Sequence, residues 1–182
     1  MKGFVVYATY ESSDDETIIY LFGRLENGKS FVAKSRIIPY FFMNSEDAKK
    51  VKSYLSKYKT EETSVKSFSE EHLTKISHNS QTQLNKIIEV LHEKKYDTYE
   101  ADIKPHQRFM IDKNIKGSIH LDGEYLSSDR VDCVYEEPTI KPSDYNPKLK
   151  TIAIDIESNE NSDELLCISI HGEKISHCFI IT

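Results

Sequence analysis

The sequence predicts an α+β chain with antiparallel strands first, two helices set among strands in the middle, and a strand meander last. Three observations carry that reading. Apolar runs of period two, broken by turn formers, fill residues 4–37. Two stretches of helical period lie between strand-like segments over 39–103, and a second set of alternating runs occupies 149–181.

The first run, FVVYATY (4–10), leads through ESSDDE to TIIYLFGRL (17–25), and ENGK then joins it to SFVAKSRI (30–37). Asn27-Gly28 between apolar runs is a hairpin signal, because both residues tolerate positive φ. PYFFM (39–43) reads as a short buried strand. In the following residues 45–58, Ala48, Val51, Tyr54, Leu55 and Tyr58 recur at helical spacing. Asn44 or Ser45 caps that helix, and Glu46 and Asp47 suit its positive end. TSVKSF (63–68) and HLTKIS (72–77) are strand candidates.

A second helix is predicted over 80–94. Ser80 and Gln83 have capping-box spacing, and Leu84, Ile87, Ile88 and Leu91 form its apolar stripe. YDTYEADI (96–103) is extended again. Residues 39–103 thus read strand–helix–strand twice, the split βαβ or ferredoxin-like order. Phe41, Phe42, Tyr96 and Tyr99 would be the aromatics of such a sheet, and packing is the simpler role for them than reading RNA bases. Pro105 opens a short helix over 105–113. GSIHLDGEYL (117–126) and RVDCVYEE (130–137) read as one hairpin around SSD. The Pro-rich stretch TIKPSDYNPKLK is the best boundary in the chain. LKTIAIDIE (149–157), ELLCISI (164–170) and KISHCFII (174–181) follow, joined by turns at 158–163 and 171–173. An apolar strand ending the sequence at Thr182 suggests a truncated fold.

Apolar residues make up 38% of the chain, and eleven Tyr with eight Phe supply the large core groups in the absence of Trp. A net charge of −6 excludes general attraction to phosphate backbones, so any nucleic-acid contact needs a local basic patch or bridging cations. Cys133, Cys167 and Cys178 form no CxxC pair and read as buried hydrophobes in a reducing compartment. The histidines lack ligand spacing; His171 and His177 are the nearest to a pair. Neither a signal-like run nor a membrane span is present, and a cytoplasmic protein is expected.

Asp-x-Glu occurs at Asp14/Glu16, Asp122/Glu124 and Asp155/Glu157, and the third alone interrupts an apolar run. A strand alternates its faces, so Ile152, Ile154 and Ile156 point into a core while Asp155 and Glu157 share the other side, roughly 7 Å apart at Cα. Two such carboxylates suit a hard divalent cation. They equally suit a solvated strand face, and spacing leaves both readings open.

The segments YEADIKPHQRFMID (99–112) and KPSDYNPKLKTIAIDIES (141–158) widen the context. Together with DELLCISIHGEKISHCFII they resemble the family B DNA polymerases, most closely the bacterial members. The resemblance implies a polymerase N-terminal domain over 1–140, a linker over 141–148, and the start of an RNase H-like 3′–5′ exonuclease domain over 149–182. It implies that Asp155 and Glu157 are catalytic and bind Mg²⁺ or Mn²⁺. The remaining exonuclease and polymerase carboxylates would lie past residue 182, so the 182-residue chain alone is expected to be inactive. The whole enzyme would act on primer-template DNA and deoxynucleotides near the nucleoid, with a sliding clamp as a further partner. The competing reading is a non-catalytic module that binds single-stranded nucleic acid or a protein.

Overall fold

The computed structural model describes residues 1–162 and 164–181; Asp163, in the predicted turn 158–163, and Thr182 lie outside it. The chain forms two units, Met1–Asn146 and Pro147–Thr182.

The N-terminal unit opens with β1 (Lys2–Ser12), β2 (Thr17–Leu25) and β3 (Ser30–Ile37), paired antiparallel as the alternation requires. The Asn27-Gly28 turn differs in detail from the expected one. Only Gly28 has positive φ, at 84°, and Leu25 N–H donates to the Lys29 carbonyl across a three-residue loop. That is the loop in which a single left-handed glycine follows an ordinary turn.

Next come β4 (Tyr40–Asn44), α1 (Ser45–Lys50), β5 (Lys59–Lys66), β6 (His72–Ser77), α2 (Gln81–Glu93) and β7 (Thr98–Tyr99). These strands form a four-stranded sheet in the order β5-β6-β4-β7, with every neighbour antiparallel. Both helical segments pack on one face: Phe41, Met43 and Ile76 meet Ala48, Val51 and Leu55 on one side and Leu84, Ile87, Ile88 and Leu91 on the other.

Three expectations change here. The helix predicted over 45–58 ends at Lys50, and residues 51–57 continue as hydrogen-bonded turns. β-Branched Val51 and the serines at 53 and 56 are weak helix formers, while burial of Val51 and Leu55 holds the turns down. The strand predicted over 63–68 runs from Lys59 to Lys66 instead, because β6 templates a polar edge that carries no apolar alternation. The extended segment 96–103 shrinks to Thr98–Tyr99, since Glu100 turns to φ 57° and breaks the ladder.

The unit closes with α3 (Pro105–Asp112), β8 (Ser118–Asp122), β9 (Tyr125–Leu126), β10 (Cys133–Glu136) and β11 (Thr139–Pro142). Residues 117–126 are not one hairpin arm. Gly123, at φ 146°, splits them, so that β8 pairs β1 and β11 while β9 pairs β10. β10 in turn lies parallel to β3.

The resulting sheet has the order β11-β8-β1-β2-β3-β10-β9. β8 and β9 stand five strand steps apart, about 24 Å on a flat sheet. Yet Asp122 and Tyr125 are three residues apart in sequence and reach at most about 11 Å. The sheet must therefore curl on itself. A register shift between Val5 and Tyr7 and the bare Cα of Gly23 supply the bend. Inside the curl lie Ile19, Leu21, Phe31, Ile119, Leu121 and Tyr135, with Phe109 and Met110 of α3 packed against them.

The C-terminal unit is a meander of β12 (Ile152–Ser158), β13 (Leu165–Gly172) and β14 (Ile175–Ile180). Its isoleucines were expected to enter a core. Within this unit Ile152, Ile154 and Ile156 are instead about three-fifths exposed, at 59%, 63% and 60%. A three-stranded sheet has no second layer of its own to bury them.

Candidate active site

Of the three Asp-x-Glu pairs, two have structural roles or stand at a turn. Asp14 accepts from Gln83 Nε2 at 2.7 Å and from Lys86 Nζ at 3.3 Å, while Glu16 accepts from Arg36 Nε at 2.7 Å. Asp122 and Glu124 flank Gly123, where β8 gives way to β9. The third pair lies mid-strand in β12. Asp155 and Glu157 are both exposed, and neither forms an ion pair among the described residues.

Strand register names the surroundings of the pair. Asp155 stands opposite Ser169, which stands opposite Cys178; Glu157 stands opposite Cys167. Cross-strand partners share a face, so two thiols and a hydroxyl border the carboxylates, and Ser169 Oγ lies 3.5 Å from Cys178 Sγ. Desolvation and the Cys178 thiol raise the Cys167 pKa, and the Glu157 and Asp155 charges raise it further. The ladder slips between Glu157 and Ser158, which ends regular pairing immediately beyond Glu157. Asp155 Oδ1 accepts from the Ile156 N–H at 3.1 Å.

His171 falls on the carboxylate face, opposite Ala153. His177 falls on the other face beside Phe179, at 6.2 Å between rings, so the two histidines do not converge. The cysteines, read from sequence as buried, are half-buried at Cys167 and exposed at Cys178; only Cys133 is in a core. Their place beside the carboxylates follows from counting two residues at a time through each hairpin, once both turns are known.

The donor chemistry fits a hard divalent cation in part. Two anionic oxygen donors share one exposed sheet face, and among the described residues no lysine or arginine pairs with either. Among the described residues, no three His, Cys, Asp or Glu side chains converge as a complete metal cage.

A separate polar centre explains the YEAD segment and the arginine that follows it. Arg108 on α3 is buried, and its Nη1 lies 2.6 Å from Glu100 Oε2, holding the left-handed Glu100 turn. Its guanidinium carbon also lies 4.6 Å from the centre of the Tyr40 ring, and Lys75 Nζ lies 4.0 Å from the same centre. Tyr40 OH donates to Asp112 at 2.9 Å. Burial, then that hydrogen bond, pushes the Tyr40 phenol up to about 12. Sequence reading marked this segment as distinctive without showing that Glu100, Arg108 and Tyr40 meet.

A strand-rich α+β unit followed by a meander bearing an unpaired Asp-x-Glu is the class of protein that fold and site define. Residues 96–180 match the family described as DNA polymerase family B, exonuclease domain, a segment that crosses the boundary between the units and contains Asp155 and Glu157. Over that segment the chain is similar to family B DNA polymerases. DNA polymerase II of Escherichia coli (strain K12) is 33% identical over 75 residues, 41% of this chain and 9% of that protein. The family B DNA polymerase of the hyperthermophilic archaeon Pyrobaculum calidifontis shares the fold over 100% of this chain and 27% of its own, with a TM-score of 0.69 and 22% identity. The chain therefore spans only a small part of either relative.

Proposed function

We propose that this chain is the N-terminal part of a DNA polymerase II-like family B enzyme that extends a primer on a DNA template and proofreads it in the 3′–5′ direction. The observation that carries the reading is the family match running through the strand that holds Asp155 and Glu157. In this reading residues 1–140 form the polymerase N-terminal domain, with a split βαβ unit over 39–103, and 141–148 are a linker. Residues 149–182 begin an RNase H-like exonuclease fold. The antiparallel order β5-β6-β4-β7 with both helices on one face supports the split βαβ assignment.

Asp155 and Glu157 are the residues of this chain that would hold Mg²⁺ or Mn²⁺. Bound divalent ions supply an activated water and stabilise the leaving oxygen in phosphodiester cleavage. What the chain itself contributes is position. Regular pairing to β13 fixes both carboxylates on one face, and neither forms an ion pair among the described residues. More carboxylates than these two are needed for a two-ion site, and they belong to the rest of the enzyme.

The test is made in the complete enzyme. Asp155→Ala with Glu157→Ala abolishes excision of a mismatched 3′ end while primer extension continues. Normal excision by that double variant would leave the pair as a solvated strand face and favour a binding module.

A further inference from the structure

The four-stranded sheet has a second face that neither helix covers. Phe41, Met43 and Ile76 point to the helices, so Phe42, Leu73 and Lys75 point away from them. Phe42 stands opposite Tyr99 on one side and Lys75 on the other. There a groove of about 250 Å³ is lined by Phe42, Leu73, Tyr99, Val65 and Phe68, with Glu100 at its margin.

Phe68 is the notable wall. It is fully exposed in the turn between β5 and β6, and that turn is tied by hydrogen bonds. Ser67 N–H donates to the Glu71 carbonyl, Glu70 N–H donates to the Ser67 carbonyl, and Ser67 Oγ accepts from the N–H groups of Ser69 and Glu71. Glu70 takes the left-handed conformation at φ 62° and pairs with Lys66 Nζ at 2.8 Å. An aromatic ring held in water by a built turn has the form of an interface anchor.

Charge selects the partner class. Glu100 lines the groove, Glu70 and Glu71 belong to the turn that carries Phe68, and Asp97 directly precedes β7, against Lys66 in the lining and the Lys75 that stands opposite Phe42. Glu70 is tied to Lys66 and Glu100 to Arg108, while Glu71 and Asp97 form no ion pair among the described residues. Both act on the Tyr99 phenol, whose pKa is raised by burial first and by those charges after it. Such a rim repels a phosphate backbone, whose binding depends on cationic neutralisation. It attracts cationic side chains. This face, with Phe42 and Leu73 buried in its floor, is thus unsuited to the RNA-reading role that its fold and aromatics invite.

We propose that this groove docks a short segment of a partner protein, with one apolar or aromatic anchor flanked by lysine or arginine. The anchor fills the space between Phe68, Phe42 and Tyr99, and the flanking cations meet Glu71 and Asp97. The proposal goes beyond the polymerase reading and does not depend on Asp155 or Glu157.

Fluorescence anisotropy with the intact chain tests it, using a labelled synthetic peptide that places Leu-Phe between Lys-Arg flanks. A glutamate-flanked peptide, a peptide with alanine at the anchor, and an oligo-dT strand complete the set. The basic-flanked peptide binds, and the other three do not. Phe68→Ala lowers its affinity at least about tenfold, the scale of an interface hot spot, with an unchanged thermal melt because the ring is exposed. Glu71→Lys with Asp97→Lys weakens it as well. No peptide binding, equal binding by Phe68→Ala, equal binding of the anchorless peptide, or Phe68-dependent binding of oligo-dT would each overturn the proposal. Self-association that Phe68→Ala abolishes would overturn it too, by assigning the groove to a second copy.

Discussion

Thr17 Oγ1 accepts the Gln81 backbone N–H at 2.8 Å, and both residues are buried. The first turn of α2 is thereby capped from the curled sheet as well as from within. Ser12 Oγ accepts from Thr82 N–H at 3.2 Å, and Ser80 Oγ accepts from Gln83 N–H at 3.1 Å. Gln83 does not complete the predicted capping box; its side chain donates to Asp14 across the gap. Thr17→Val leaves a buried donor unpaired and costs about 1–3 kcal/mol. Thr17→Ser retains most of that stability. Urea melts of the two variants at unchanged slope check the difference.

The α2 stripe predicts a graded series. Leu91 is fully buried, whereas Ile88 retains 9% exposure at the edge of the same cluster. Both truncations to alanine fall within about 2–5 kcal/mol, the range for removing a buried aliphatic group. Leu91→Ala lies toward the upper end and Ile88→Ala toward the lower. Denaturant midpoints that reverse this order would show that the helix packs by a different face.

Gly23 is required by contact rather than by backbone angle. A Cβ there would stand 2.0 Å from the Phe4 carbonyl oxygen and 2.6 Å from the Phe31 ring. The neighbouring atom is backbone in a paired strand and has nowhere to move. Gly23→Ala is therefore expected to cost about 3 kcal/mol or more, at or above the upper end of the usual overpacking range. Gly28→Ala, whose Cβ would meet nothing within 4 Å, carries only the cost of positive φ. Thermal melts of the pair separate the two mechanisms.

Tyr40 gives a pH dependence with a definite sign. Its phenol is raised to about 12 in the folded chain, chiefly by burial and then by the bond to Asp112. An unfolded tyrosine ionises near 10. The stabilisation is present in full below about 10 and is lost as pH rises toward 12, because the unfolded state releases its proton first. Tyr40→Phe removes this contribution to the alkaline loss of stability. Equal slopes of stability against pH for the two proteins between about 10 and 12 would refute the assignment.

The carboxylate pair should bind metal weakly in this chain. Mg²⁺ keeps its water shell unless an oxygen cage is nearly complete, and β12 supplies two carboxylates. Mn²⁺ relaxation enhancement is expected to show one weak interaction that Asp155→Asn with Glu157→Gln removes. The same measurement on Asp14→Asn, whose carboxylate is already bonded to Gln83 and Lys86, should show no change. Tight binding by the parent chain would mean that other donors complete the site.

What the sequence determined by itself was local. Alternation placed β1 to β3, His72–Ser77 and all three strands of the C-terminal meander, and the 3.6-residue stripe with its Ser80 cap placed α2. The same alternation put Asp155 and Glu157 on one face, because side-chain period is a property of the strand itself. Tertiary structure alone decided the partners. Nothing local tells Ser118–Asp122 and Tyr125–Leu126 to join one sheet five strand steps apart. Nor does local pattern show that Thr17 caps a helix 64 residues away or that Arg108 is buried against Glu100 and Tyr40. Those outcomes depend on which distant edges and donors the curl brings within reach. Hydrogen bonding and burial reward that proximity after the chain has closed, and no window of sequence contains it.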